Sequence, residues 1–171
     1  MKAHLKFLFL LTSIYVITVV SSCEDPVTFP DQPIITSNTF RVLKGSNGLD
    51  SALVLDFGFT DGDADIGLGQ RDTVAPFDIN FFIEYFEKKN GIFSKVLIKD
   101  AEQNPTGDTL NYNGRIPFFN SVGGTKSVQG RIEYLINIQF RGSDTLRFDY
   151  FIVDRKLNKS NKVSSGPVIL K

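Results

Sequence analysis

Residues Arg131–Arg141 read RIEYLINIQFR, and their period is two: Ile132, Tyr134, Ile136, Ile138 and Phe140 share one face, while Arg131, Glu133, Asn137, Gln139 and Arg141 lie on the other. Successive side chains of a strand point to opposite faces, so this alternation describes a half-buried β-strand. Downstream, Thr145–Asp154 repeats it with Leu146, Phe148, Tyr150 and Ile152 inward, and the intervening RGSD predicts a tight turn joining the two as a hairpin. Upstream, Ser51–Phe59 alternates through Leu53, Leu55, Phe57 and Phe59. Asp78–Lys88 and Ile92–Ile98 flank Asn90-Gly91, a dipeptide that adopts the positive φ angles of a type I′ turn and so predicts a second hairpin. Shorter strand candidates are Ile34–Leu43, Leu110–Phe119 and Val168–Leu170. About eight strands separated by turn signals, with no helical pattern after the N-terminal segment, predict an all-β fold, an antiparallel β-sandwich or barrel.

Sixteen phenylalanines supply large rings for a core, and the chain has one cysteine, one histidine and no tryptophan. The histidine, His4, lies in an apolar N-terminal segment that has the layout of a removable leader. Without that leader no imidazole remains, and Cys23 is the only thiol. Zinc, copper and haem sites, which need nitrogen or sulfur ligands, are thereby disfavoured. Catalytic triads built on histidine, and histidine acid/base chemistry, are excluded with them. Oxygen-ligated Ca²⁺ or Mg²⁺ remains, along with carboxylate, lysine or tyrosine chemistry. The 19 basic residues balance the 19 acidic ones, and losing Lys2 and Lys6 with the leader makes the remainder slightly acidic. Nothing in that balance suggests a nucleic-acid partner.

Directly after Phe59 the chain reads Thr-Asp-Gly-Asp-Ala-Asp-Ile-Gly-Leu-Gly69, with Asp61, Asp63 and Asp65 on alternate positions. These fall at positions 1, 3 and 5 of a calcium loop of the EF-hand kind, and Asp72 at position 12. Ile66 stands where that loop needs glycine, and the flanks read as strand, so the template is broken. Two readings stay open. Three carboxylates within five residues repel one another unless solvated or neutralised, which makes Asp61, Asp63, Asp65 and Asp72 candidate ligands for a structural Ca²⁺. Equally, Asp and Gly are ordinary turn residues whose side chains bond backbone amides two residues on.

The chain opens MKAHLK and continues through an uncharged apolar run, Phe7–Val20, whose 14 residues fall short of the about 20 a membrane span needs. It has the layout of a signal peptide. Val20-Ser21-Ser22-Cys23 follows, which resembles the lipobox of bacterial lipoproteins. The resemblance implies cleavage before Cys23, a diacylglycerol on its thiol and acylation of the new amino terminus. It divides the chain into a signal peptide (1–22), a lipidated cysteine with a proline-rich tether (23–33) and a sandwich domain (34–171). The acidic Glu24-Asp25 pair resembles the surface-export signal of Bacteroidetes-type lipoproteins. Phe148–Asn161 resembles the last hairpin of immunoglobulin-like domains in bacterial surface proteins, in which a strand ends in Asp and returns after D-x-x-x-N-x-S-N, with Leu157 here in the place of a glycine. The segment D-G-D-x-D-I-G is similar to one that follows an early strand in Bacteroidetes-type lipoproteins. Together the leader, this loop and the last hairpin identify the chain as a Bacteroidetes-type outer-membrane lipoprotein with an immunoglobulin-like β-sandwich domain.

The expected function is a non-catalytic binding or structural accessory, anchored in the outer membrane by its lipid, displayed at the cell surface, and partnered by an envelope protein or a glycan. A second expectation is a glycan-binding module in which Tyr112, Phe118 and Phe119 form a stacking platform. A third is a hydrolase using Asp61 and Asp65 as a carboxylate pair.

Overall fold

The computed structural model describes residues 27–119 and 127–171. Cys23 and the leader lie outside the described residues, so the expectations placed on them have no structural counterpart here. Ten strands follow in chain order: β1 (Ile34–Lys44), β2 (Asp50–Asp61), β3 (Phe81–Lys89), β4 (Ile92–Lys95), β5 (Leu97–Lys99), β6 (Pro105–Thr109), β7 (Val128–Asn137), β8 (Thr145–Ile152), β9 (Val163–Ser164) and β10 (Val168–Ile169). There is no helix among the described residues. One sheet runs β1-β2-β7, and a second runs β10-β8-β3-β4 with β9 also on β8; β5 and β6 form a separate ribbon. The pairings between strands are antiparallel. The result is an all-β, open, sandwich-like fold.

The alternation of β2 and β8 is what closes the two sheets on each other. Leu53, Leu55, Phe57 and Phe59 of β2 are buried, as are Leu146, Phe148, Tyr150 and Ile152 of β8. Phe57 lies 5.1 Å from Phe81 and 5.4 Å from Tyr150, centroid to centroid, so the rings interlock across the two sheets. Truncating a buried ring of this kind costs about 3–5 kcal/mol. Asn90 and Gly91 both have positive φ, 51° and 83°, and join β3 to β4 as the sequence predicts.

Three expectations are corrected. Arg131–Arg141 and Thr145–Asp154 do not pair as a hairpin: β7 pairs with β2, and β8 pairs with β3 in the other sheet. Both strands turn their apolar faces to one core, but from opposite sides, and the chain crosses between sheets after Asn137. Phe140, expected inward, is 97% exposed because it falls on that crossing, after β7 has ended. Leu110–Phe119 is likewise no continuous strand. It runs beside β3 and pairs with it at isolated bridges, Phe81 to Gly114 and Glu84 to Asn111, while the Asn113 side chain accepts the Ile83 N–H at 2.8 Å. Pro117 lacks an N–H to extend the ladder. Gly114 passes so close to Tyr134 that a Cβ would lie 2.6 Å from the phenol oxygen.

The outward face of the second sheet carries rings that the sequence pattern had left unassigned. Phe82 stacks on Phe151 at 5.0 Å, and the Arg147 guanidinium lies 4.2 Å over Phe86 and 5.0 Å over Phe93. These cross-strand pairs stabilise the sheet from outside.

Candidate metal centre

β2 delivers the first acid. Because Leu53, Leu55, Phe57 and Phe59 face the core, the next residue of that register, Asp61, must face it as well, and it is completely buried. One of its carboxylate oxygens, Oδ2, accepts the N–H groups of Asp65 at 2.9 Å and Ile66 at 3.1 Å, curling the chain back over the strand end. Ala64 takes up the left-handed backbone of that curl, with φ 58°. Ile66 is fully buried. The position where a calcium loop of the EF-hand kind carries glycine is occupied by a core residue, and this is why that template does not apply.

The glycines of the segment serve close contacts. A Cβ on Gly62 would lie 2.2 Å from the carbonyl oxygen of Phe29, and one on Gly67 would lie 2.6 Å from the Cα of Phe118. The Gly62 N–H donates to the Pro30 carbonyl at 2.8 Å, which seats the segment before β1 against the loop. Buried Asn80 pins the other side, donating to the Ile66 carbonyl at 2.6 Å and accepting from the Ile116 N–H at 2.7 Å.

Asp61, Asp63 and Asp65 each offer a carboxylate oxygen, and these atoms lie within 4.8 Å of one another. In addition, Oδ1 of each is buried and without a hydrogen-bond partner among the described residues. Leaving a buried carboxylate oxygen unpaired is costly, and each of the three acids carries one. Burial, with the charges of Asp63 and Asp65 beside it, pushes the Asp61 carboxyl up to about 7. Asp65 is raised to about 6 by burial and by the neighbouring charges of Asp154 and Asp63. Burial pushes Asp63 upward too, but the Lys156 ammonium bonded to it outweighs this and holds it below the usual carboxylate range. A dication placed among the three would reverse the repulsion that raises Asp61 and Asp65. Ca²⁺ binds oxygens at about 2.3–2.6 Å, so atoms less than about 5 Å apart can share one ion. The triad is therefore placed to hold a metal ion.

Asp72, the fourth candidate ligand, lies apart from this group. Its Oδ2 accepts the Gly69 N–H at 2.7 Å and pairs with the Arg155 guanidinium, which holds the carboxyl below its ordinary range. Arg115 donates to the main-chain carbonyls of Asp72, Asp78 and Gly69, clamping the same loop. Compared with protein-family models, with curated proteins and with solved structures, the chain finds no match. The site's own chemistry has to speak for it.

The turn after β8, expected from the D-x-x-x-N-x-S-N spacing, closes over the triad, a placement that sequence reasoning missed. Arg155 N–H donates to the Asp65 carbonyl at 3.2 Å, and Lys156 pairs with Asp63. Asp154 is buried, and both its oxygens are taken by Asn158, from the backbone N–H at 2.7 Å and the side-chain amide at 2.8 Å. The D-x-x-x-N spacing was visible in the sequence, but its meeting with residues about ninety positions earlier was not. Of the aromatic residues expected to form a platform, Tyr112 packs on Tyr85 at 5.4 Å and Phe119 faces Phe59 at 6.2 Å, while Phe118 is exposed. They do not share one surface. A cleft of about 760 Å³ lies at the opposite end of β2, around Asp50, Arg141 and Ser143.

Proposed function

We propose that the protein is a non-catalytic outer-membrane lipoprotein, held by a lipidated Cys23, whose immunoglobulin-like sandwich is a binding or structural accessory of the cell envelope stabilised by a Ca²⁺ ion at Asp61, Asp63 and Asp65. One observation carries the cation: Asp61, Asp63 and Asp65 each bring a carboxylate oxygen within 4.8 Å of the others, and each has a buried oxygen without a hydrogen-bond partner among the described residues. Calcium is favoured over magnesium because an all-protein oxygen site of irregular shape suits the larger ion, whereas Mg²⁺ demands near-ideal octahedral geometry and retains its waters. A structural role is favoured over hydrolysis because Asp61 is wholly buried and held by two backbone amides. A general acid or base has to reach its substrate. The lipobox and the proline-rich stretch before Ile34 support the anchor and tether.

The test is thermal unfolding in millimolar calcium and in excess chelator. A ligand that binds only the folded state at a hundred times its Kd adds about 2.7 kcal/mol, so the melting temperature should rise by several degrees with calcium. Coincident curves would rule the ion out. The anchor is tested separately by metabolic labelling with a fatty acid, which Cys23→Ser should abolish.

A further inference from the structure

One cation of the chain's own already stands against the three aspartates. Lys156, on the turn after β8, donates from Nζ to Asp63 Oδ2, and the same Nζ lies 3.9 Å from Asp31 Oδ2 on the tether. Asp63 Oδ1, its other oxygen, is among the buried unpartnered atoms, so the carboxylate that takes the ammonium also belongs to the cluster of three acids. The Lys156 side chain is 57% exposed, and it can swing into water without giving up a buried position. Arg155, its neighbour, is committed to Asp72, and Asp154 to Asn158. Lys156 is therefore the charged group of this turn that can leave the loop while the turn itself stays folded.

We propose that Lys156 is a built-in competitor for the cation site: a divalent ion held by Asp61, Asp63 and Asp65 displaces its ammonium from Asp63 and breaks its contact with Asp31. This rests on the cation reading above. Two positive charges at one carboxylate repel, and the coupling is reciprocal, so the lysine weakens the ion as much as the ion weakens the lysine. The ammonium partly neutralises the ion-free loop, which keeps it folded, and it shifts calcium binding to higher concentrations. Ion occupancy also reaches the tether, because Asp31 follows Pro30, whose carbonyl accepts the Gly62 N–H of the same loop.

Isothermal titration of the full chain in detergent with calcium chloride tests this, using wild type, Lys156→Met and Lys156→Arg. Lys156→Met should bind calcium about tenfold more tightly, within the 5- to 150-fold range of ordinary site couplings. Lys156→Arg, which keeps the charge, should stay near wild type. Equal affinities for wild type and Lys156→Met would overturn the competition and leave the cation site standing, and weaker binding by Lys156→Met would overturn it by showing that the lysine supports the ion. No calcium heat from any of the three, with β-sheet circular dichroism intact, would remove the cation site and the competition together.

Discussion

β2 begins and ends on a buried aspartate, and the two are opposites. Asp50, at its start, accepts the backbone N–H of Lys171 at 2.6 Å and pairs with Lys44 at 3.4 Å. The Lys171 amide and the Lys44 ammonium hold its carboxyl below the ordinary range against the opposing effect of burial. Asp61, about 36 Å away along a strand that rises roughly 3.3 Å per residue, is more deeply buried and is surrounded by two further acids. Its carboxyl is raised to about 7. Burial is common to both ends, so the neighbours decide: the first site is complete within the chain, and the second has an excess of negative charge that a cation would balance. A buried acid alone is therefore no sign of a metal site, whereas buried acids that face each other are.

The largest expected effect breaks the contrast at the Asp61 end. Asp61→Ala orphans the N–H groups of Asp65 and Ile66 and should cost about 2 kcal/mol in chelator, with calcium stabilisation lost as well, both read from chemical denaturation. Asp61→Asn keeps an acceptor for those amides and relieves the crowding; at neutral pH it should melt at or above wild type in chelator yet show no response to calcium. Next in size is Asp50→Asn, which retains an acceptor for Lys171 but loses the charge opposite Lys44. It should cost about 1 kcal/mol, equally with and without calcium. A calcium-dependent loss there would erase the distinction between the two ends.

The pH dependence sharpens the same contrast. Asp61 and Asp65 have folded values near 7 and 6, above the unfolded value of about 3.9, so the folded state holds the extra protons between those limits. Their contribution is fully present below about pH 4 and is lost as pH rises through 6 to 7. In chelator, the melting temperature should therefore fall across that window, and Asp61→Asn should flatten the fall. Asp50 behaves in the opposite sense: its lowered value contributes stability that is present above the unfolded value and lost in stronger acid. Smallest is Leu157→Gly. Leu157 has φ 66° and is 49% exposed, so glycine relieves a left-handed backbone while giving up little packing. A gain of about 0.5–1 kcal/mol is expected from equilibrium unfolding.

The alternation in β2 and β8 was legible because period two is a local property of the chain, and all eight of their predicted inward residues are buried. The β3–β4 turn was legible because Asn90-Gly91 carries the required backbone preference within two residues. Extending the β2 register by two would also have placed Asp61 on the core face. The misassigned hairpin shows the limit. Periodicity says which side of a strand is apolar, but it does not say which strand lies beside it, and Ile136 and Leu146 reach one core from different sheets. The broken calcium template was visible at Ile66, but its reason, a side chain buried in the sandwich, was not.

The sequence by itself determined the alternating strands, the supply of aromatic rings, the absence of histidine beyond the N-terminal segment and the three closely spaced aspartates. These are properties of residues near one another in the chain, where backbone geometry and composition act directly. Only the tertiary structure decided that Asp72 would go to Arg155 and that Lys156 would come to Asp63. It also decided that Asp154 would press its charge on Asp65, while Asp50 would find its partner at Lys171. Those encounters join residues about 80 to 120 positions apart. What brings them together is the closing of two sheets over a shared core, and no local preference in the sequence encodes which charges then meet at its ends.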